Sequence, residues 1–221
     1  MRIFITLYPV SELITVLPAA GMASRFGGLP KFLLPLPDGS NLLARHVSLA
    51  KRFSSKIVVA TRPEWLALAK QAAPEAYALG VLSETMSETV KTVGELISSS
   101  PQESRLIMLG MPDTFFFGEN PYERLLASVP EAENGALICA TFPTDSGLVG
   151  RVGSLEIGPD HRITAHRDKD PELDYGHHWG ALLFRPDLLE KLGRDSPHVG
   201  YMIDPCLESG IDVAAVRIDG A

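Results

Sequence analysis

The chain has 221 residues, 45% hydrophobic and 21% charged, enough to bury a core in one domain or in one domain with a small lobe. Its formal net charge of −7 and pI of about 5.4 exclude a broad basic surface for a nucleic-acid backbone, so an anionic substrate has to meet local cations. Two cysteines are too few for a disulfide framework or a zinc quartet and point to a reducing cytoplasm, and no apolar run approaches the roughly 20 residues of a membrane span.

The opening MRIFITLYPVSEL is interrupted at Pro9 and lacks a convincing cleavage site, so it is expected to form a short extra strand or a loose extension. ITVLPAA (14–20) is a β-rich run that stops at Gly21. SNLLARHVSLAKRF (40–53) places Leu42, Leu43, Val47 and Ala50 at a helical period, with Ser40 as the expected N-cap. KIVVAT (56–61) reads as a buried strand and PEWLALAKQAA (63–73) as a helix with Pro63 in its first turn. A short run at 79–82 precedes SETVKTVGELISSS (87–100), helical through Val90, Val93 and Ile97. RLIMLG (105–110) reads as a strand, PYERLLASV (121–129) as a helix and ALICATF (136–142) as a strand.

This alternation implies an α/β fold, a mostly parallel, Rossmann-like sheet flanked by helices. Ligands of such sheets bind beyond the carboxyl ends of the strands, where segments 17–37 and 110–114 both emerge. From Gly147 the pattern changes. GRVGSLEIGPDHRITAHRDKDPEL predicts a hairpin about Pro-Asp-His, WGALLF (179–184) a strand, PDLLEKL (186–192) a helix and DVAAVRI (212–218) a closing strand. The expected organisation is one domain over 1–221, with a nucleotide-binding half at about 14–146 and a small β-rich, acceptor-binding lobe at about 147–221.

The stretch LPAAGMASRFGGLPKFLLPLP (17–37) sets Arg25 and Lys31 six residues apart in a segment too glycine-rich for a stable helix. Gly21 permits close backbone approach to a ligand, and Gly27-Gly28 permits angles other residues resist. Exposed amides with two cations suit a polyphosphate, the amides holding oxygens and the cations offsetting charge as it shifts. Neither G-x-x-x-x-G-K-[ST] nor G-x-G-x-x-G can be laid on the segment.

LPAAGMASRFGGLPKFLLPL resembles the signature loop of the sugar-phosphate nucleotidyltransferases, L-x-A-G-x-G-[ST]-R followed by P-K-x-L-x-P. Ala19, Ala20, Gly21, Ser24, Arg25, Pro30, Lys31, Leu33 and Pro35 match; Ala23 stands where the family usually has glycine. Downstream, SETMSETVKTV resembles the base-contacting turn and LIMLGMPDTFF the strand that delivers a metal-binding aspartate, Asp113. ITAHRDKDPE resembles the E-K-P segment, with Asp168 and Lys169 in the Glu and Lys positions, and HHWGALLFRPDLL the sugar-pocket strand. Within the family the similarity is greatest to the glucose-1-phosphate thymidylyltransferase-like proteins, and it covers about residues 14–218.

The resemblance implies attack by a sugar-1-phosphate oxygen on the α-phosphorus of a nucleoside triphosphate, releasing pyrophosphate. The catalytic residues are then Arg25, Lys31, Asp113 and Lys169. Arg25 would hold the β/γ-phosphates, Lys31 the α-phosphate and bridging oxygen, Lys169 the acceptor phosphate and Asp113 a Mg²⁺ ion. Ala19, Ala20, Gly21, Ser24, Thr85 and Ser87 would contact the nucleotide. Gly150, Asp168, Trp179 and Gly180 would contact the acceptor, Trp179 being equally open to a packing role. The family takes a second metal ligand from a W/F-x-D-x-G-T segment, and the sequence stops at VRIDGA short of it; Asp219 precedes the expected position and is a poor substitute, and Asp204 is the alternative.

Two rival functions follow from the same residues: a nucleotide-sugar-binding homologue with little transferase activity, and a cytidylyltransferase acting on a phosphorylated alcohol. A homo-oligomer is possible, and no nucleic-acid or membrane partner is expected. His161 with His166, and His177 with His178, lack the helical spacing of a zinc site, and Ser24 and Ser87 have no neighbouring His signature for a hydrolase nucleophile.

Overall fold

The structure is a computed structural model and describes residues 12–21, 28–98 and 105–218. Strand β1 (Glu12–Ala19) is the hub. It runs parallel to β2 (Lys56–Thr61) on one side and to β4 (Arg105–Gly110) on the other, and β2 carries β3 (Tyr77–Gly80) at the sheet edge. Side chains along β1 alternate between two cores: Leu13 and Leu17 pack on one face of the sheet, Ile14 and Val16 on the other. Such burial on both faces is why these strands read as continuous apolar runs.

Helices cover both faces. α1 (Leu42–Ala50), α2 (Leu66–Ala72) and the short α4 (Pro121–Leu125) and α5 (Val129–Glu133) lie on the Leu13 face. α3 (Met86–Ser98) lies on the Ile14 face and buries Val90, Val93 and Ile97, each worth roughly 1.5–3 kcal/mol on transfer from water. The cap of α1 is Asn41 rather than the expected Ser40. Asn41 Oδ1 accepts the Ala44 N–H at 2.9 Å, while the Ser40 hydroxyl and N–H both turn back to Asp38.

The second half of the chain does not form a lobe apart from this sheet. β8 (His177–Phe184) inserts antiparallel between β4 and β5 (Leu137–Pro143), and β9 (Val213–Arg217) adds parallel to β5. The order is therefore β3-β2-β1-β4-β8-β5-β9. The hairpin of β6 (Gly153–Ile157) and β7 (Ile163–Asp168) lies off the main strand order, bridged to β8 at Ser154 and to β9 by Arg162 opposite Ala214. The physical reason is Ala181–Phe184, fully buried side chains that need cover on both faces and find it in the sheet interior. Residues 199–202 and α6 (Ile203–Glu208) add a turn of 3₁₀-helix and a short α-helix that the sequence pattern did not signal. The expected opening strand falls outside the described residues. No helix among the described residues is long and apolar enough to cross a membrane.

Candidate active site

Because β2 lies on one side of β1 and β4 on the other, the chain reverses direction across the sheet between β1 and β4. In open α/β sheets a crevice forms at that point, outside the carboxyl ends of the strands. Here it is a cavity of about 350 Å³. Pro18, Ala19 and Gly21 border it from the end of β1, Met111, Pro112 and Asp113 from the end of β4, and Lys169 and His198 from the far side.

Lys31 reaches the cavity through a short, well-determined path. Gly28 takes φ +83°, a left-handed turn that glycine tolerates, and Pro30 leads into a single 3₁₀ turn, Lys31–Leu33. Phe32 is buried and fixes that turn to the core, so Lys31 beside it faces outward to the cavity. Its Nζ donates to Asp113 Oδ2 at 3.2 Å. Both side chains remain partly open to solvent, so the pair adds little stability, and its placement is its main consequence.

Asp113 sits in a turn closed by the Thr114 N–H, which donates to Met111 O at 3.0 Å. His46, on α1, holds the same turn from behind. A carbonyl can only accept, so the His46 Nε2 lying 2.7 Å from Thr114 O must carry the proton. Nδ1 is then the acceptor, and the Tyr122 hydroxyl donates to it at 2.5 Å. Burial lowers the His46 pKa to about 4, keeping it neutral, and burial raises that of Tyr122. Gly110 makes room for this arrangement: a Cβ there would come 1.8 Å from the Tyr122 hydroxyl.

The opposite wall is built from the hairpin end and the segment before α6. Lys169 follows β7 at φ +54°, and its N–H donates to Val152 O at 3.1 Å, extending the ladder by one rung. Its ammonium donates to His198 Nε2. Burial and then the Asp168 charge raise the Tyr201 pKa, and Tyr201 stacks on His198 with ring centroids 6.4 Å apart.

The other expected acceptor residues lie outside the walls of this cavity. Gly150, φ +72°, packs on Pro171; the Trp179 indole is wedged between Gly153 and Gly200; and Gly180 packs beneath Phe142, which stacks on Phe116.

Of the expected nucleotide residues, Ala19 and Gly21 border the cavity, while Ala20 is buried beside them. The Thr85 hydroxyl is engaged elsewhere, accepting the Glu88 N–H and donating to Arg194 O, and Ser87 is fully buried. Met86 between them forms cavity wall instead. Ser24 and Arg25 lie outside the described residues. Trp65 and His198 are wall residues that no sequence signal marked. Trp65 meets Phe32 edge-on with ring centroids 6.4 Å apart, and with Met86 and Met111 they give the cavity apolar wall among its charged groups.

Among the described residues no three His, Cys, Asp or Glu side chains gather as a metal cage. Asp204, one of the two expected second ligands, instead accepts from His166 Nδ1 at 3.1 Å and does not border the cavity; Asp219 lies outside the described residues. A lone Asp113 carboxylate fits magnesium, which commonly takes one or two carboxylates and fills its remaining positions with water and substrate phosphates. It does not fit a metal held by protein alone.

Several solved structures share this fold at low sequence identity. UTP-bound UGPase from Acinetobacter baumannii superposes with a TM-score of 0.71 at 15% identity, covering 94% of this chain and 86% of its own. A UDP-glucose pyrophosphorylase complexed with UDP-glucose gives 0.73 at 15% identity, covering 94% and 91%. CMP:2-keto-3-deoxy-manno-octonic acid synthetase complexed with CTP gives 0.66 at 15% identity, covering 94% and 90%. No curated protein sequence matches the chain. Residues 15–201, which carry the loop, the Asp113 turn, Lys169 and His198, match the MobA-like NTP transferase domain, and the chain belongs to that family.

Proposed function

We propose that the protein joins a nucleoside triphosphate to a sugar-1-phosphate, forming a nucleoside-diphosphate sugar and pyrophosphate. The observation that carries this reading is the convergence of Lys31, Asp113 and Lys169 on one cavity that also has apolar wall. An acceptor phosphate oxygen forms a new bond to the α-phosphorus, the bond from that phosphorus to the bridging oxygen breaks, and the electron pair leaves with pyrophosphate. The nucleophile is already anionic, so the task is to hold two polyanions together and to stabilise the leaving group.

Lys31 stands where charge develops on the bridging oxygen. Lys169 approaches from the far wall and holds the acceptor phosphate against the repulsion of the triphosphate. Asp113 would hold magnesium, which supplies charge compensation for the phosphates when bound. Trp65 or Met86 would offer the base an apolar surface. The UDP-glucose and CTP bound by the fold neighbours support a nucleotide donor and a sugar product. The overall resemblance to glucose-1-phosphate thymidylyltransferase-like proteins makes dTTP with glucose-1-phosphate the first pair to try.

The test is a pyrophosphate-release screen of the common nucleoside triphosphates against a panel of sugar-1-phosphates and phosphocholine, with magnesium and with EDTA. Release with at least one sugar-1-phosphate, abolished by EDTA, is the expected result. Release only with phosphocholine moves the acceptor class to phosphorylated alcohols. Nucleotide-sugar binding with no release from any pair replaces the transferase by a binding protein.

A further inference from the structure

His198 is a wall residue of the cavity that the transferase chemistry above leaves without a role. Its Nε2 faces the ammonium of Lys169. An ammonium has only hydrogens to offer, so Nε2 must be the bare nitrogen, and the imidazole is neutral. The groups around it are few: Lys169 in contact, Asp168 one residue before Lys169, and the Tyr201 ring stacked on it. Two nitrogen bases therefore share one proton-bearing contact at the mouth of a cavity, with one carboxylate nearby.

We infer that Lys169 and His198 form a proton-linked subsite for the dianionic phosphate of the acceptor, in which His198 is neutral in the free protein and takes up a proton when the dianion binds. The inference deepens the transferase reading and rests on it for the identity of the ligand as a phosphomonoester. The physics is direct. In the free protein, partial burial and then the Lys169 charge hold the His198 pKa below the ordinary value, with Asp168 opposing them. A dianion between the two nitrogens reverses the sign of the nearest charge, which favours imidazolium, and a protonated Nε2 becomes a second donor to the phosphate. Lys169 is then released from its histidine and turns all its donors to the ligand. The subsite thereby prefers the dianion over the monoanion, because only the dianion repays charging the histidine.

The test uses sulfate, a tetrahedral dianion that does not titrate near neutrality, so any proton taken up comes from the protein. The Cε1–H resonances of the full chain are followed against pH by NMR, with and without saturating sulfate, and the His198 line is assigned by its loss in His198→Gln. The expected result is a His198 midpoint raised by about one pH unit or more in sulfate. The sulfate Kd of the natural chain weakens by up to about tenfold per pH unit between the two midpoints, by linkage. In His198→Gln, whose side-chain carbonyl can still accept from Lys169, sulfate affinity stays flat over that interval.

Lys169→Ala loses sulfate binding. An unmoved midpoint, an absence of sulfate binding to the natural chain, or undiminished binding in Lys169→Ala each overturns the inference. Failure here is separable from failure of the transferase reading. A shifted midpoint without pyrophosphate release keeps the subsite and removes the enzyme, whereas release with an unmoved midpoint does the reverse.

Discussion

The two cationic walls of the cavity are anchored in different ways. Lys31 faces Asp113 across a floor backed by the sheet, and behind Asp113 the buried His46 has both ring nitrogens hydrogen-bonded. Lys169 stands at the free end of a hairpin that meets the sheet at two single bridges, Ser154 to β8 and Arg162 to β9, in a left-handed conformation, with its ammonium on a half-buried histidine. A preorganised charge stabiliser works without reorganisation only if its support is rigid. An acceptor-holding group has to admit and release a ligand, which a hairpin end permits. On the proposed function, the rigid wall would carry the nucleotide chemistry and the yielding one the handling of the acceptor.

The largest expected effect breaks the rigid wall chemically. Lys31→Ala and Asp113→Asn each lower pyrophosphate release by about 10²-fold or more, the usual loss when one preorganised stabiliser is removed. Lys169→Ala, in contrast, raises the acceptor KM more than it lowers kcat. Steady-state kinetics with the active pair from the screen separates them; near-normal turnover in Lys31→Ala removes that residue from the chemistry.

The same wall can be broken from behind. Gly110→Ala sets a methyl group 1.8 Å from the Tyr122 hydroxyl, and the hydroxyl cannot yield without leaving His46 Nδ1 unpaired in the core. Overpacking and a lost buried hydrogen bond together destabilise by about 3 kcal/mol, read as a lower urea midpoint. An unchanged midpoint would show that Tyr122 does not seat the Asp113 turn.

Acid tests the same support by titration. His46 titrates near 6.5 when unfolded and at about 4 when folded. Between those values the unfolded chain binds a proton that the native state refuses. Stability is therefore whole above pH 6.5 and falls as the pH drops toward 4, by roughly 3 kcal/mol for this group at the lower end. Urea titrations of the natural chain and of His46→Gln at pH 7 and pH 4.5 measure it. The natural chain should lose the larger share of its stability, and equal losses would contradict a buried neutral imidazole.

What the sequence made legible divides along similar lines. The strands at 56–61 and 105–110 were read to the residue, because short runs of apolar residues bounded by turns leave few alternatives. Lys31 and Asp113 were placed by motif, and the structure joins them. The late strands were recognised as strands but placed in a small lobe packed on the sheet, since a one-dimensional pattern does not say that β8 will insert between β4 and β5. The helix at 203–208 hid behind Pro205 and its brevity, and in the α1 pattern His46 was one polar letter whose partners lie 68 and 76 positions away. His198 and Trp65 could not be found by spacing, for their approach to Lys31 and Lys169 depends on the crossovers of the whole sheet. The fold's type was thus local information, whereas the supports of its site were not.

The smallest expected effect sharpens the contrast from the yielding side. At φ +54° a lysine holds a conformation that costs an L residue about 1–2 kcal/mol, and glycine escapes that cost while giving back part of it through its freer unfolded chain. Lys169→Gly should therefore be more stable than Lys169→Ala by about 1 kcal/mol, although both lose the same ammonium. Thermal or urea unfolding of the two variants reads the difference, and acceptor kinetics reads what they share, an equally raised KM. If glycine gives no advantage, the backbone at 169 is unstrained and the lysine is held by the His198 contact alone. If it does, the hairpin accepts strain to aim a cation into the cavity, and the yielding wall is a compromise between stability and reach.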